Sequence, residues 1–327
     1  MPPDAVDFPL AGPGGEPVSF ARTVLSHGVA MLPPMSVDPS GASFTVTLGL
    51  SETSARTVGV VPMGDAHAVM SIAGRSPGPV KRVRLLDLVR HILRLDEDLS
   101  PFYELCMEDP SIAWASQGAG RLLRSATVFE DVVKTICTTN CAWSATERMV
   151  GAIVEHLGVA VPGAPASGAS GRAFPSPQAM AEAGEDFYRE VARTGYRGRY
   201  LLSLARSVAA EEVSLEEMGS APRGEVPDEE IFARLTALPG IGPYAAAHVM
   251  MMIGRYSQLV LDSWTRPTYA RLAGKRNVED ASIVRRFRRY GPWAGLAFWL
   301  FLTRDWVSES DAGQGSLPPA RVDGPTQ

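Results

Sequence analysis

The sequence predicts an α+β fold, an N-terminal antiparallel β-sheet domain followed by a mostly helical body, and three observations carry that reading. Residues 44–50 (FTVTLGL), 56–62 (RTVGVVP) and 66–74 (AHAVMSIAG) alternate apolar with polar positions, are rich in β-branched side chains and are parted by turn residues. That is the pattern of half-buried strands. From Val83 the run VRLLDLVRHIL changes to helical spacing, which dominates thereafter. The composition, 45% hydrophobic and 20% charged over 327 residues, is that of a globular chain with ample core.

Taken in order, residues 1–16 are rich in Pro and Gly and read as disordered, and residues 17–100 read as the β-rich domain, its sheet spanning about 20–75. Residues 101–307 read as the helical body, with a Pro/Gly/Ser loop at 159–178, and residues 308–327 as a disordered polar tail. The start lacks the basic-then-apolar run of a signal sequence, and the longest apolar stretches, near 246–253 and 292–302, are too short to span a bilayer.

Within the helical body, Leu238-Pro239-Gly240-Ile241-Gly242-Pro243-Tyr244 is followed by an apolar helix to about Ile253, closed by Gly254, and then by Val260-Leu261-Asp262-Ser263-Trp264. The glycines permit a tight turn that brings bare N–H groups to a helix N-terminus, where a phosphate oxygen can be bound without a cationic side chain. Gly240 and Gly242 are the positions of phosphate approach, and Leu259-Val260-Leu261 returns Asp262 toward the turn. A phosphate clamp with one carboxylate a helix length downstream points to chemistry on DNA; an ordinary helical turn with an Asp cap is the plainer alternative.

The net charge of −5 argues against an indiscriminate nucleic-acid coat but leaves room for a local basic face. Arg266, Arg271, Lys275, Arg276, Arg285, Arg286, Arg288 and Arg289 are its candidates, arginine being suited to bidentate phosphate contacts. The three cysteines, Cys106, Cys137 and Cys141, form no disulfide framework; Cys137 and Cys141 at i, i+4 without a nearby His read as structural thiols rather than half a metal site.

Several separated segments resemble the helix-hairpin-helix (HhH-GPD) DNA glycosylase superfamily over roughly residues 17–305. Beside the hairpin-to-Asp262 unit these are 129–140 (FEDVVKTICTTN), 174–177 (FPSP), 195–200 (GYRGRY) and 291–295 (GPWAG), which are most similar to the 3-methyladenine (alkylpurine) DNA glycosylase II and 8-oxoguanine glycosylase branches. The resemblance implies a base-excision-repair enzyme that flips a damaged base out of duplex DNA and hydrolyses its N-glycosidic bond. Asp262 matches the catalytic aspartate of the family. Where the lyase-competent branches carry a Schiff-base lysine this chain has Tyr244, and no lysine lies between Lys134 and Lys275, so the expectation is a monofunctional glycosylase without AP lyase activity.

Two departures bear on the lesion. Phe298 stands where the 8-oxoguanine branch has a base-reading glutamine, and Leu302 where it has a pocket phenylalanine; the Asp-x-His of several branches is here Asp262-Ser263-Trp264. Tyr244 and His248 keep rings where the alkylpurine branch has aromatic residues, so the expected base pocket is Tyr244, His248, Phe298 and Leu302, and the expected substrate an alkylated purine. An oxidised or deaminated base such as 8-oxoguanine, and a non-catalytic HhH module binding DNA by phosphates alone, are the alternatives. The resemblance further implies DNA contacts from Asn140 (inserted into the gap), Tyr196 and Arg197 (wedge and estranged base) and Gly240, Ile241 and Gly242. It also implies a potassium or sodium ion on the carbonyls of Thr236, Leu238 and Ile241, no required cofactor, and no iron–sulfur cluster, the C-terminal cysteines being missing. The implied partner is damaged double-stranded DNA, with no membrane, a monomeric state, and a bacterial-type cytoplasmic location with nucleoid association through DNA.

Overall fold

A computed structural model of the protein describes residues 5–307; the expected tail, 308–327, lies outside them. Five strands, β1 (Val6–Pro9), β2 (Met35–Val37), β3 (Phe44–Ser51), β4 (Ser54–Met63) and β5 (His67–Ile72), form one antiparallel sheet in the order β1-β5-β4-β3-β2. Register is fixed by the alternation: Phe44 faces Val60, Val46 faces Val58 and Val60 faces Met70, all on the buried face. The helix Pro79–Ile92 turns Leu85, Val89 and Ile92 onto that face.

The sequence reading of this region needs two corrections. Residues 6–9, assigned to a disordered start, pair with β5, because Phe8 has a buried slot opposite Ala68. Residues 20–31, assigned to the sheet, are a short helix, Phe20–Val24, and a 3₁₀ turn, Gly28–Met31, which carry the chain across the sheet's edge to β2.

The helical part holds two cores. One gathers Val132, Ile136, Val150, Ile153, Leu201, Leu204 and Ile231; the other joins Phe102 and Ile112, from just after the sheet domain, to Phe287, Leu296, Phe298 and Phe301 near the end of the chain. The helix Pro243–Met252 serves both, with Ala245, Ala246, Val249 and Met250 on the first and Ala247, Met251 and Met252 on the second. This shared burial is why its sequence is apolar all round. Among the described residues no helix is long and apolar enough to cross a membrane.

Candidate active site

The hairpin joins the helix Asp228–Thr236 to Pro243–Met252. Gly240 sits at φ +84°, and a Cβ there would meet the Tyr200 ring at 2.7 Å, so this position needs glycine both for its conformation and for packing. Gly242 caps the second helix, has no atom within 4 Å of where a Cβ would stand, and is exposed; Pro243 follows at the first helical position, and no side chain caps the turn. The first N–H groups of the helix therefore face outward, a ready anion site. Ile241 differs from the two glycines: its side chain is buried and its N–H donates to the Leu238 carbonyl at 3.2 Å.

Asp262 begins the turn that leads into the helix Thr265–Leu272. Its Oδ1 accepts from the N–H groups of Trp264 (2.8 Å) and Thr265 (2.6 Å), while its own N–H donates to Thr265 Oγ1 at 2.8 Å. These reciprocal bonds fix the carboxylate and use only Oδ1. Close passage of the preceding chain over the C-terminal helix Ala294–Thr303 sets its position. A Cβ on Gly295 would lie 2.2 Å from the Gln258 carbonyl oxygen, and the Gly295 N–H donates to Tyr256 O at 2.6 Å. The second glycine of the 291–295 motif thus holds the segment that delivers Asp262.

Asp262 acts on two side chains of the hairpin helix. Burial pushes the Tyr244 phenol up to about 12 and the Asp262 charge adds to the shift, against a hydrogen bond with Thr138. Burial holds His248 down to about 4, although Asp262 pulls it upward. The two rings lie 6.2 Å apart, and neither ring nitrogen of His248 has a hydrogen-bond partner among the described residues. Edge-on to His248, at 6.1 Å, stands His27 from the segment before β2; its Nε2 donates to Leu123 O at 2.5 Å and its Nδ1 has no partner.

The remaining expected pocket residues belong to the second helical core, against which Tyr244 also packs. Phe298 is fully buried and packs 5.2 Å from Phe287 and 6.1 Å from Tyr269, inside the second helical core. Leu302 is buried in the same core. Trp299, one residue on from Phe298, faces the N-terminal segment instead, its Nε1 donating to Ser26 O at 2.9 Å while its ring meets Trp264.

At the other wall, the helix Val128–Thr138 ends in a turn whose tip, Asn140, is exposed at φ +48°, a left-handed conformation Asn tolerates better than most residues. Its Nδ2 donates to Tyr196 Oη at 3.3 Å, and Tyr196 is 48% exposed. Arg197 departs from its expected role. It is buried and spends its guanidinium on the carbonyls of Thr139 and Thr194, with Nε 3.0 Å from Thr139 O, so it braces the Asn140 turn rather than facing solvent. Arg199, two residues on in the helix Arg197–Ala209, is exposed over the Tyr200 ring at 4.8 Å.

Sequence reasoning missed His27, Trp299 and Trp143, whose ring reaches 3.3 Å from a Cβ position on Gly28. One signal for His27 was available: it is a polar residue inside the apolar run Val24 to Met31. In the expected basic face, Arg266 pairs with Asp280 at 2.8 Å and Arg289 with Asp109, whereas Arg271, Lys275, Arg276, Arg285 and Arg288 are exposed and form no ion pair among the described residues. Among those residues no group of three or more His, Cys, Asp or Glu side chains could hold a metal ion.

By sequence the chain matches no family model and no curated protein. By structure it is similar to a 3-methyladenine DNA glycosylase from Archaeoglobus fulgidus, at a TM-score of 0.69 and 20% identity over 93% of this chain and 100% of that one. It is equally similar to MBOgg1 in complex with a low affinity DNA ligand, at 0.69 and 20% over 94% and 98%. The 8-oxoguanine glycosylase/lyase of Clostridium acetobutylicum follows at 0.68 and 19% over 91% and 96%. The α+β fold expected from the sequence is therefore that of known DNA glycosylases.

Proposed function

We propose that this protein is a monofunctional DNA glycosylase that excises an alkylated purine, with Asp262 as the catalytic carboxylate. The observation that carries this reading is the Asp262 carboxylate, fixed by its own turn and acting on the half-buried ring of Tyr244 and the buried ring of His248, next to a hairpin helix whose start has no side-chain cap. Cleaving an N-glycosidic bond builds positive charge on the sugar, and a carboxylate held there stabilises that charge and helps place the attacking water. At about 4 Å and an effective dielectric near 20 the attraction is worth about 4 kcal/mol, roughly a thousandfold in rate when realised only in the transition state.

Water is the nucleophile in this reading because the site offers no amine. Tyr244 is a phenol, and Lys134 is buried with its ammonium 2.7 Å from Glu130 Oε1. The ring of Tyr244 would stack on a flipped base, a contact worth roughly 1–3 kcal/mol, and a neutral His248 leaves the pocket free of positive charge that would repel an alkylated, cationic purine. Asn140 and Tyr196 would fill the gap left in the duplex. The carbonyls of Thr236, Leu238 and Ile241 would hold a potassium or sodium ion. Excision of an oxidised or deaminated base is the second reading, favoured by the unpartnered nitrogens of His248, which can read hydrogen bonds.

The test incubates the protein with methylated DNA and with duplexes carrying 8-oxoguanine, hypoxanthine or uracil, scoring base release before and after alkali. Release of methylated purines with strand breaks only after alkali, reduced about a thousandfold by Asp262→Asn with DNA binding retained, is the expected result. Breaks without alkali would overturn the monofunctional reading. Release unaffected by Asp262→Asn would remove the carboxylate from the mechanism.

A further inference from the structure

Two buried imidazoles, His27 and His248, meet edge to face, and the hydrogen bond of the first fixes which of its nitrogens accepts. The Leu123 carbonyl can only accept, so the 2.5 Å contact makes His27 Nε2 the protonated nitrogen. Burial, with the nearby charges of Arg94 and Lys134, holds the His27 pKa near 3, so the ring is neutral and its Nδ1 carries a lone pair. That lone pair is buried without a partner, as are both nitrogens of His248. A buried donor or acceptor left unpaired costs about 1–3 kcal/mol, and two acceptors and one N–H without partners in one place are unusual for a packed interior. At a ring separation of 6.1 Å, edge to face, the two histidines do not satisfy each other.

Their neighbours include residues of the candidate site. His248 lies one helical turn beyond Tyr244 and feels the Asp262 charge. His27 is followed by Gly28, over which Trp143 brings the segment after the Asn140 turn. The pair therefore stands where the N-terminal segment, the wedge wall and the hairpin helix meet.

We infer that His27 and His248 read the hydrogen-bonding edge of the flipped base, His27 Nδ1 as a fixed acceptor and His248 as its adjustable partner, and that the site selects an alkylated adenine that keeps its exocyclic amine. This inference rests on the reading of the site as a base-excision pocket. The amine supplies the N–H that His27 Nδ1 lacks, and a neutral His248 donates one N–H to a ring nitrogen on the same edge. Alkylation that gives the purine a positive charge strengthens the amine as a donor, so two neutral imidazoles suit it where a lysine or arginine would repel it. A base whose amine nitrogen is closed into a ring, such as 1,N6-ethenoadenine, has an acceptor at that place and meets the His27 lone pair unfavourably.

The test compares excision of 3-methyladenine and 1,N6-ethenoadenine by the wild-type protein and by His27→Gln. The amide N–H of glutamine keeps the bond to Leu123 while the Nδ1 acceptor is lost. Wild-type preference for 3-methyladenine, with kcat/KM for that base alone falling about tenfold or more in His27→Gln at an unchanged Tm, is the expected result. An equal fall for both bases, or none, would overturn the assignment. Imidazole ¹⁵N NMR of the wild-type protein with each free base gives a readout independent of turnover. A shift of the His27 Nδ1 resonance with 3-methyladenine alone would support the inference even if no duplex released a base, an outcome that would defeat the excision reading by itself. No shift, or the same shift with both, would overturn it.

Discussion

The two ends of the helix Pro243–Met252 are built on opposite terms. At its C-terminal end every nitrogen of a buried arginine is used: Arg94, itself at φ +56°, donates to the carbonyls of Met251, Met252 and Leu122 and to Glu97 Oε2 at 3.1 Å. Arg255, just past this end, ties down the start of the other hairpin helix, its Nη1 and Nη2 donating to Val226 O, Asp228 Oδ1 and Ala221 O within 2.8 Å. Midway along it His248 is buried with both nitrogens unpartnered among the described residues, and at its N-terminal end the first turn has no side-chain cap. Cationic side chains at the last carbonyls oppose the helix dipole and stabilise. Bare N–H groups and orphaned nitrogens cost stability and become useful only when a ligand arrives. One helix thus divides the labour, its far end anchoring the fold and its first turn leaving N–H groups without a side-chain cap.

The comparison can be broken by substitutions at each end. Arg94→Met should be the most damaging substitution to stability, about 3–5 kcal/mol by chemical denaturation, because the buried Met251, Met252 and Leu122 carbonyls lose that donor, while Glu97 keeps Tyr256 and Arg223. Base release per folded molecule should survive it. A loss of activity without a loss of stability would show that the far end is part of the reaction.

The glycines of the hairpin sharpen the same point. Gly240→Ala should cost about 1–3 kcal/mol, since it forces a side chain into a left-handed conformation and against Tyr200. Gly242→Ala should change stability by only ~0.5 kcal/mol, its Cβ standing in open space, and should instead weaken binding to undamaged duplex. Equal stabilities for the two variants would remove the distinction between the packed glycine and the phosphate-facing one.

A pH dependence probes the same histidines. His27 and His248 titrate in the folded protein near 3 and 4, below their ordinary 6.5, so the unfolded chain takes up protons first as pH falls. Stability contributed by the neutral rings is present above pH 6.5 and lost below it, at up to about 1.4 kcal/mol per pH unit for each histidine. His91, also held near 4, adds to the slope. Denaturant unfolding between pH 7 and 5 should show the decline, and His248→Phe should make it shallower while leaving stability at pH 7 equal or higher. An unchanged slope would mean that His248 is solvated in the folded protein.

Much of this was legible in local sequence because it depends on neighbours in the chain. The strands β3 to β5 follow from alternation, Gly240 from the need for a tight turn, and Asp262 from a return segment whose turn the carboxylate itself closes with Thr265. Asn140 at a helix end and the exposed Tyr196 meet through a side-chain hydrogen bond across 56 positions, a contact that the motifs named without locating. Phe298 was legible as an aromatic residue and not as to its direction, because one residue along a helix turns a side chain by about 100°. That rotation gave the face toward Ser26 to Trp299.

The sequence by itself determined the α+β architecture, the hairpin and its carboxylate, because periodicity, turn glycines and caps are short-range properties of the chain. Only the tertiary structure decided that Arg197 braces the Asn140 turn from inside, that Phe298 belongs to the core, and that His27 meets His248. Each of these depends on how burial removes a group from water and on which distant partner is there to replace it, and no spacing along the chain encodes that choice.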